Sequence, residues 1–414
     1  MNPISWALVA LAALVLALAG AAVALVPRAT PGPTDAARTA ALLDIPADVV
    51  GRGKALHAAL RPSTYGSLVA GLLVPLLLGL TPAGAHVVAW AAAPSGGQWL
   101  AEAVLGGLAV LAIVWLVPLP FAAWRHTVLR RQGLSTQGWG AWAVDLLKGA
   151  GLGLVLGAVL LAGFYTLARF VPSWWWAWGA GAAAGLVVLF SFVFPVLVEP
   201  VFNRFRPMPA GPLREELVAL AARDGLPVRE VLVADASRRT TGLNAYVSGF
   251  GATRRIVVYD TLLREAPSGE VRSVVAHELG HARARDPEVG AALGAVAAAA
   301  AVVLLFVVGQ WEPLLRRAGA PSIGSPRAIG LVLAVAAVTG LVTGPLQNLA
   351  SRRTEARADQ HALRLTADPA QFAAVQLRLA TVNVADVRPP RLEYVLFATH
   401  PDTVERLAAA REAT

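Results

Sequence analysis

Seven stretches of about twenty apolar residues punctuate the chain, at roughly 5–26, 66–90, 103–124, 144–168, 177–201, 288–311 and 328–348. Each is long enough to cross the ~30 Å hydrocarbon layer of a bilayer as a helix. Trp174, Trp175, Trp176 and Trp178 stand ahead of the fifth, as an interfacial aromatic belt does. The polar residues are unevenly shared. One long polar stretch, 203–287, follows the fifth span, and 349–414 follows the seventh. The pattern therefore predicts a membrane domain over 1–202 with five helices. It also predicts a polar domain split between 203–287 and 349–414, with an inserted transmembrane hairpin over 288–348.

Inside 203–287 the periodicity changes. Gly211 to Asp224 has the spacing of an amphipathic helix, and Val228 to Ala234 is apolar enough for a strand. Asn244 to Gly249 and Arg255 to Tyr259 read as two strands joined by a turn at Gly251 to Arg254. Glu270 to Arg285 reads as a helix running toward the membrane.

Composition supports the membrane assignment: 56% of the 414 residues are hydrophobic and only 15% charged, against about 25% charged in soluble domains. Mean hydropathy is +0.59. The net charge of +9 falls in loops between spans, and no basic-aromatic module for nucleic acid is visible. Lys54 and Lys148 are the only lysines among 35 basic residues, which with the abundant Ala, Val and Gly points to a GC-rich bacterial genome. Cysteine is absent, which excludes disulfides, thiolate metal sites and cysteine nucleophiles. Any metal must be held by His, Asp or Glu.

The first apolar stretch could be a signal peptide, but Met1 to Trp6 carries no positive charge, so it reads as a retained helix. Arg28, Arg38, Arg52, Lys54 and Arg61 fall in the loop 27–65, and Arg125, Arg130 and Arg131 in 125–143. The loop between, 91–102, has no Lys or Arg. By the positive-inside rule the N-terminus lies outside, and both polar segments lie in the cytoplasm of a multi-pass plasma (inner) membrane protein. Arg316, Arg317 and Arg327 in the last external loop run against this.

The chemistry is concentrated in His277-Glu278-Leu279-Gly280-His281. On a helix, His at i and i+4 share one face and can grip one Zn²⁺, and the Glu beside the first His is placed to act as a base on water. Three fixed residues also coincide by chance on amphipathic helices, so the motif alone is not decisive. Gly280 costs about 1 kcal/mol in a helix relative to Ala, which hints at a constraint beyond helix formation. A catalytic zinc takes three protein ligands and leaves one position open. Downstream, Glu355 and Asp359 share a helical face. Glu355 could be a ligand and Asp359 could orient a ligand histidine, but a solvated arginine-rich cap fits the same spacing equally well. His57, His86 and His126 read as incidental. His361 falls off the face of Asp359, and His400 by spacing alone is a surface histidine.

These residues together resemble the type I CAAX prenyl endopeptidases, integral-membrane zinc peptidases. The ordered motifs are Pro195 to Phe205, Asn244-Ala245-Tyr246-Val-Ser-Gly249-Phe250, Arg255 to Leu262, His277 to His281, Ser351-Arg352-Arg353-x-Glu355-x-x-Ala-Asp359, Asn383-x-Ala-Asp386 and His400-Pro401-x4-Arg406. The resemblance implies a mainly α, polytopic fold: about seven transmembrane helices around a water-filled chamber, plus a zincin-like α+β catalytic domain. It implies one Zn²⁺ per chain on His277, His281 and Glu355, with Asp359 orienting from behind. It places His400 and Arg406 near the reacting carbonyl, and has Asn244, Ala245 and Tyr246 pair with an extended substrate as an added strand. Asp145, Lys148 and Glu199 would face the chamber, or sit at the interface.

The implied activity is hydrolysis of peptide bonds in membrane-associated or prenylated-type proteins, with the bilayer and a peptide substrate as partners and no nucleic acid. A quality-control protease for membrane proteins fits the same site. A non-catalytic zinc transporter or sensor fits less well, because a structural site needs ligands but no base such as Glu278. The orientation is testable with reporter fusions after residues 96, 210 and 414: the first should report the external side and the other two the cytoplasm. An external signal after 414 would overturn the charge-based orientation.

Overall fold

A computed structural model describes residues 2–28, 32–249 and 251–413, with 195, 196 and 252 described by backbone alone. Met1 and Phe250, which belong to segments read above, lie outside the described residues. Among the described residues seven helices are long and apolar enough to cross a membrane: Pro3–Leu25, Ala47–Leu80, Trp99–Arg131, Trp139–Phe170, Trp175–Val193, Asp286–Val308 and Pro326–Thr366. The protein is mainly α-helical and multi-pass, as the apolar pattern predicts.

The ends of these helices depart from the hydropathy pattern where local chemistry intervenes. The second span breaks after Leu80, ahead of Pro82, and resumes as a separate helix Ala83–Ala92. Its N-terminal half is polar yet helical from Ala47, so much of the loop 27–65 is helix. The fifth span ends in a π-turn over Phe194–Val198, and a short helix Glu199–Phe202 follows. The seventh continues without a break as Ile329–Thr366, about 57 Å at 1.5 Å per residue. Only its first half is apolar enough for lipid, so the second half, beyond Pro345, carries Glu355 and Asp359 out of the membrane on the same helix.

Small residues let the spans approach closely. A Cβ on Gly79 would meet the Gly330 carbonyl oxygen at 2.4 Å, so the second and seventh spans touch backbone to backbone. The first span packs on the sixth through a cluster that includes Ala7, Ala299 and Val303.

Four short strands form one sheet in the order β1 (Phe205–Pro207), β2 (Glu230–Ala234), β4 (Arg255–Tyr259), β3 (Ala245–Ser248). β2 and β4 are parallel, and β3 runs antiparallel to β4 with Ala245 opposite Val258 and Ser248 opposite Arg255. β3 is therefore an edge strand.

The helix Ser268–Ala284 carries the HExxH motif and packs its apolar face into the polar half's core. Val271, Val275 and Leu279 meet Leu217, Ile256, Val258, Leu262 and Phe372 there. The same core takes in Ala362, Leu363 and Ala410 from beyond the seventh span. Arg285 ends the helix in the left-handed region, φ 57°, and turns the chain directly into the sixth span.

Gly280 has the constraint its helix cost suggests. A Cβ there would lie 3.1 Å from His361 Cβ and 3.3 Å from Ala358 Cα, so the motif helix and the long helix meet at this glycine. Gly280→Val should overpack the crossing and cost about 1–3 kcal/mol. Gly280→Ala should be milder, because about 1 kcal/mol of helix propensity offsets its smaller strain. Thermal unfolding of the purified protein checks this, and an unchanged midpoint for the valine variant would refute it.

Candidate metal centre and active site

The crossing at Gly280 sets the motif histidines against the glutamate from the other helix. His277 Nε2 is 3.1 Å from Glu355 Oε2 and 3.2 Å from His281 Nε2. His281 Nε2 is 3.5 Å from Glu355 Oε1. One donor atom from each lies within 4.8 Å of the others. These are the residue types that hold a divalent transition metal, and they converge from two helices separated in sequence by the whole sixth–seventh hairpin.

The far nitrogens of both histidines are held too. His277 Nδ1 lies 2.8 Å from Asp359 Oδ1, and Asp359 is gripped by Arg406, whose Nε is 2.9 Å from Oδ2. His281 Nδ1 lies 2.8 Å from Asp286 Oδ2, and Asp286 is paired with Arg357. A carboxylate behind each imidazole fixes which nitrogen faces the cluster. Sequence reasoning finds Asp359 but misses Asp286 and Arg357. Asp286 stands five residues past His281, off its helical face, and only the left-handed turn at Arg285 brings it back.

Electrostatics test whether a cation fits. Burial works to lower both imidazoles. Hydrogen bonding to the accepting carboxylates of Asp359 and Glu355 nevertheless raises His277 to about 8, and to those of Asp286 and Glu355 raises His281 to about 10. The cluster thus draws positive charge into a buried place, as a divalent-cation site must. Burial also pushes the Glu278 carboxyl above the usual carboxylate range, against the pull of His277 and His281. That moves it toward the range where a carboxylate can both take and return a proton.

Glu278 opens onto a cavity of about 250 Å³ shared with His277, Asn244, Asn383, His400 and Arg406. His400 Nε2 lies 3.2 Å from Glu355 Oε2, and its Nδ1 lies 2.9 Å from Thr399 Oγ1. Burial lowers its proton affinity. Arg352 positions the segment ahead of His400 by donating to the carbonyls of Tyr394, at 3.1 Å, and Ala398, at 2.6 Å. Asn383 Oδ1 accepts from Leu243 N at 2.9 Å, which holds the chain just ahead of β3. Asn244 uses its own Oδ1 on Ala245 N and its carbonyl on Tyr259 N. Tyr246 reaches Glu199 at 3.4 Å.

The remaining candidates lie apart from the cluster. His361 pairs with Asp224 at 3.1 Å, and His126 stacks on Trp142 and meets Trp139 edge-on. His57 lines a neighbouring cavity. Asp145 is held by Arg239 at 2.9 Å, which ties the fourth span to the polar half, and Lys148 donates to the Val201 carbonyl at 3.2 Å, which ties it to the short helix after the fifth span.

A seven-span membrane protein with two histidines and a glutamate on crossed helices, beside a half-buried carboxylate, is a metallopeptidase in outline. Residues 207–414 match peptidase family M48, and residues 63–204 match the CAAX prenyl protease N-terminal region, five membrane helices. A CAAX prenyl protease 1 homolog of Oryza sativa is 31% identical over 75% of this chain and 74% of its own length. The uncharacterized metalloprotease YhfN of Bacillus subtilis is 26% identical over 76% of each. The crystal structure of S. mikatae Ste24p has the same fold, with a TM-score of 0.77 over 98% of both chains at 20% identity. The chain belongs to peptidase family M48, among the CAAX prenyl proteases, and is a multi-pass membrane metalloendopeptidase.

A cation entering the cluster must displace the protons on His277 and His281. Both groups hold their protons below about pH 8, so metal affinity should rise with pH up to that point, on the order of tenfold or more per unit. Metal titrations between about pH 6 and 8 measure it, and an affinity flat across that range would contradict the assignment.

Proposed function

We propose that the chain is a zinc endopeptidase that cleaves peptide bonds of membrane-associated, prenylated-type proteins. We further read it as a protein of a bacterial plasma membrane with its site facing the cytoplasm. The observation that carries the reading is Glu278: a half-buried carboxylate outside the His277–His281–Glu355 cluster, opening on the same cavity as His277. A structural metal site has no use for it. The Bacillus relative and the arginine-rich loops support the location.

In this reading His277, His281 and Glu355 hold one Zn²⁺. When bound, zinc supplies Lewis acidity and lowers the pKa of water toward neutrality. Asp359 and Asp286 keep both imidazoles turned inward, and Arg406 holds Asp359 in place while lining the cavity. Glu278 takes the proton of the attacking water and later delivers it to the leaving nitrogen. His400 donates to the oxygen of the carbonyl as it gains negative charge, with Arg406 adding positive potential. β3 offers a free strand edge beside Asn244, so an extended peptide can add to the sheet through Ala245 and Tyr246. Backbone pairing is blind to side chains, which suits a protease whose substrates share a location more than a sequence. The polar half, 203–287 with 349–414, works as one split catalytic domain around the 288–348 hairpin, because its core draws on both sides of that hairpin.

Glu278→Gln should lower peptide cleavage by about 10²–10⁴ while the metal stays bound, because the residue is a base and not a ligand. Turnover of a quenched peptide, with metal content measured on the same sample, decides it. Near-normal turnover, or loss of metal along with activity, would remove Glu278 from this role.

A further inference from the structure

Behind the metal centre lies a second, larger cavity, of about 940 Å³, lined by Arg28, Arg352, Arg353, Arg357, Arg364 and Arg406. On the long helix, positions 353, 357 and 364 recur at i, i+4 and i+11, so three of these arginines form one stripe. It runs beside the buried stripe of Glu355, Ala358, Asp359 and Ala362 that faces the motif helix.

The charges in this cavity do not balance. Its carboxylates are Asp359, Glu405 and Glu412. Asp359 is engaged by Arg406, Glu405 caps the C-terminal helix and accepts from Tyr394, and Glu412 accepts from Thr34. Arg28, Arg353 and Arg364 have no ion pair or hydrogen bond among the described residues. Unneutralised guanidinium groups sharing one concavity favour a phosphate, which accepts from several donors at once.

We propose that this cavity binds the phosphate of an anionic phospholipid. The membrane side of the cavity argues for a lipid over a soluble anion. Pro27 and Leu349 line it where the apolar parts of the first and seventh spans end. Just below, Leu25 is 44% exposed and Leu346 65% exposed, so acyl chains have an apolar surface leading away from the arginines. Basic pockets between helices at a membrane boundary hold lipid headgroups in this way. The same wall reaches the metal centre by two routes. Arg357 holds Asp286 against His281, and Arg406 holds Asp359 against His277. A phosphate seated here therefore shares its arginines with the carboxylates that orient both motif histidines.

The test uses the full chain in phosphatidylcholine nanodiscs titrated with phosphatidylglycerol, with bound lipid counted by native mass spectrometry. Lipid retention is read without reference to peptidase activity. Arg353→Gln/Arg364→Gln should retain phosphatidylglycerol at least about fivefold less well than the unaltered protein, a loss of roughly 1 kcal/mol in affinity. Arg353→Lys/Arg364→Lys, which preserves charge, should recover part of that loss. Equal retention by the glutamine variant, or no recovery with lysine, would overturn the proposal. A third arm offers glycerol phosphate and inorganic phosphate, and binding of either as tight as that of phosphatidylglycerol would overturn the lipid as its source.

Discussion

The contact between Gly280 and the backbone at Ala358 is the constraint on which the rest of this structure depends. The two helices must approach closely enough for the donor atoms of His277, His281 and Glu355 to converge. A Cβ at position 280 would press within 3.1 Å of His361 and 3.3 Å of Ala358, and a larger side chain would force the helices apart. Neither helix can be displaced alone, because each continues toward the membrane: the motif helix through the turn at Arg285 into the sixth span, the long helix as the seventh span itself. Membrane packing and site geometry are thus one mechanical problem. The backbone contact between Gly79 and Gly330 fixes the seventh span from below, and the Gly280 contact fixes it from above.

Around that crossing the electrostatics are arranged in layers. The innermost layer has two imidazoles and one carboxylate. A second layer of carboxylates, Asp359 and Asp286, backs the imidazoles, and a third of arginines, Arg406 and Arg357, backs the carboxylates. Each layer reverses the sign of the one before it. Buried carboxylates in this number would be costly alone, and the arginines offset that cost while leaving the centre attractive to a cation. The outermost arginines are in turn the wall of the large cavity at the membrane boundary.

The edge strand β3 completes the arrangement on the other side of the site. Among the described residues it has a partner in β4 but none on its outer edge, and Asn383 steadies the chain just before it. An unpaired strand edge is a liability in most proteins. Here the edge lies beside the half-buried Glu278 and the His277–His281–Glu355 cluster, and in the proposed function it holds an extended peptide.

Read alone, the sequence determined the class of the protein. Seven apolar stretches, the absence of cysteine, and histidines spaced four apart around a glutamate are local features, each with a physical meaning independent of where the rest of the chain lies. Strand positions near Ala245 and Arg255 were legible for the same reason, since alternation and turn chemistry act over a few residues. The helix boundaries were less so. Polar residues 47–65 are helical, and the seventh apolar stretch belongs to a helix running on to Thr366, because hydropathy registers solvent and not backbone hydrogen bonding. Only the tertiary structure decided which distant groups meet. It decided that Asp286 turns back onto His281 and that Arg357 and Arg406 stand behind the two carboxylates. It decided as well that arginines from the ends of the first and seventh spans gather around one cavity. Such meetings depend on where whole helices cross, and a crossing is set by packing between surfaces far apart in the chain, which no local pattern records.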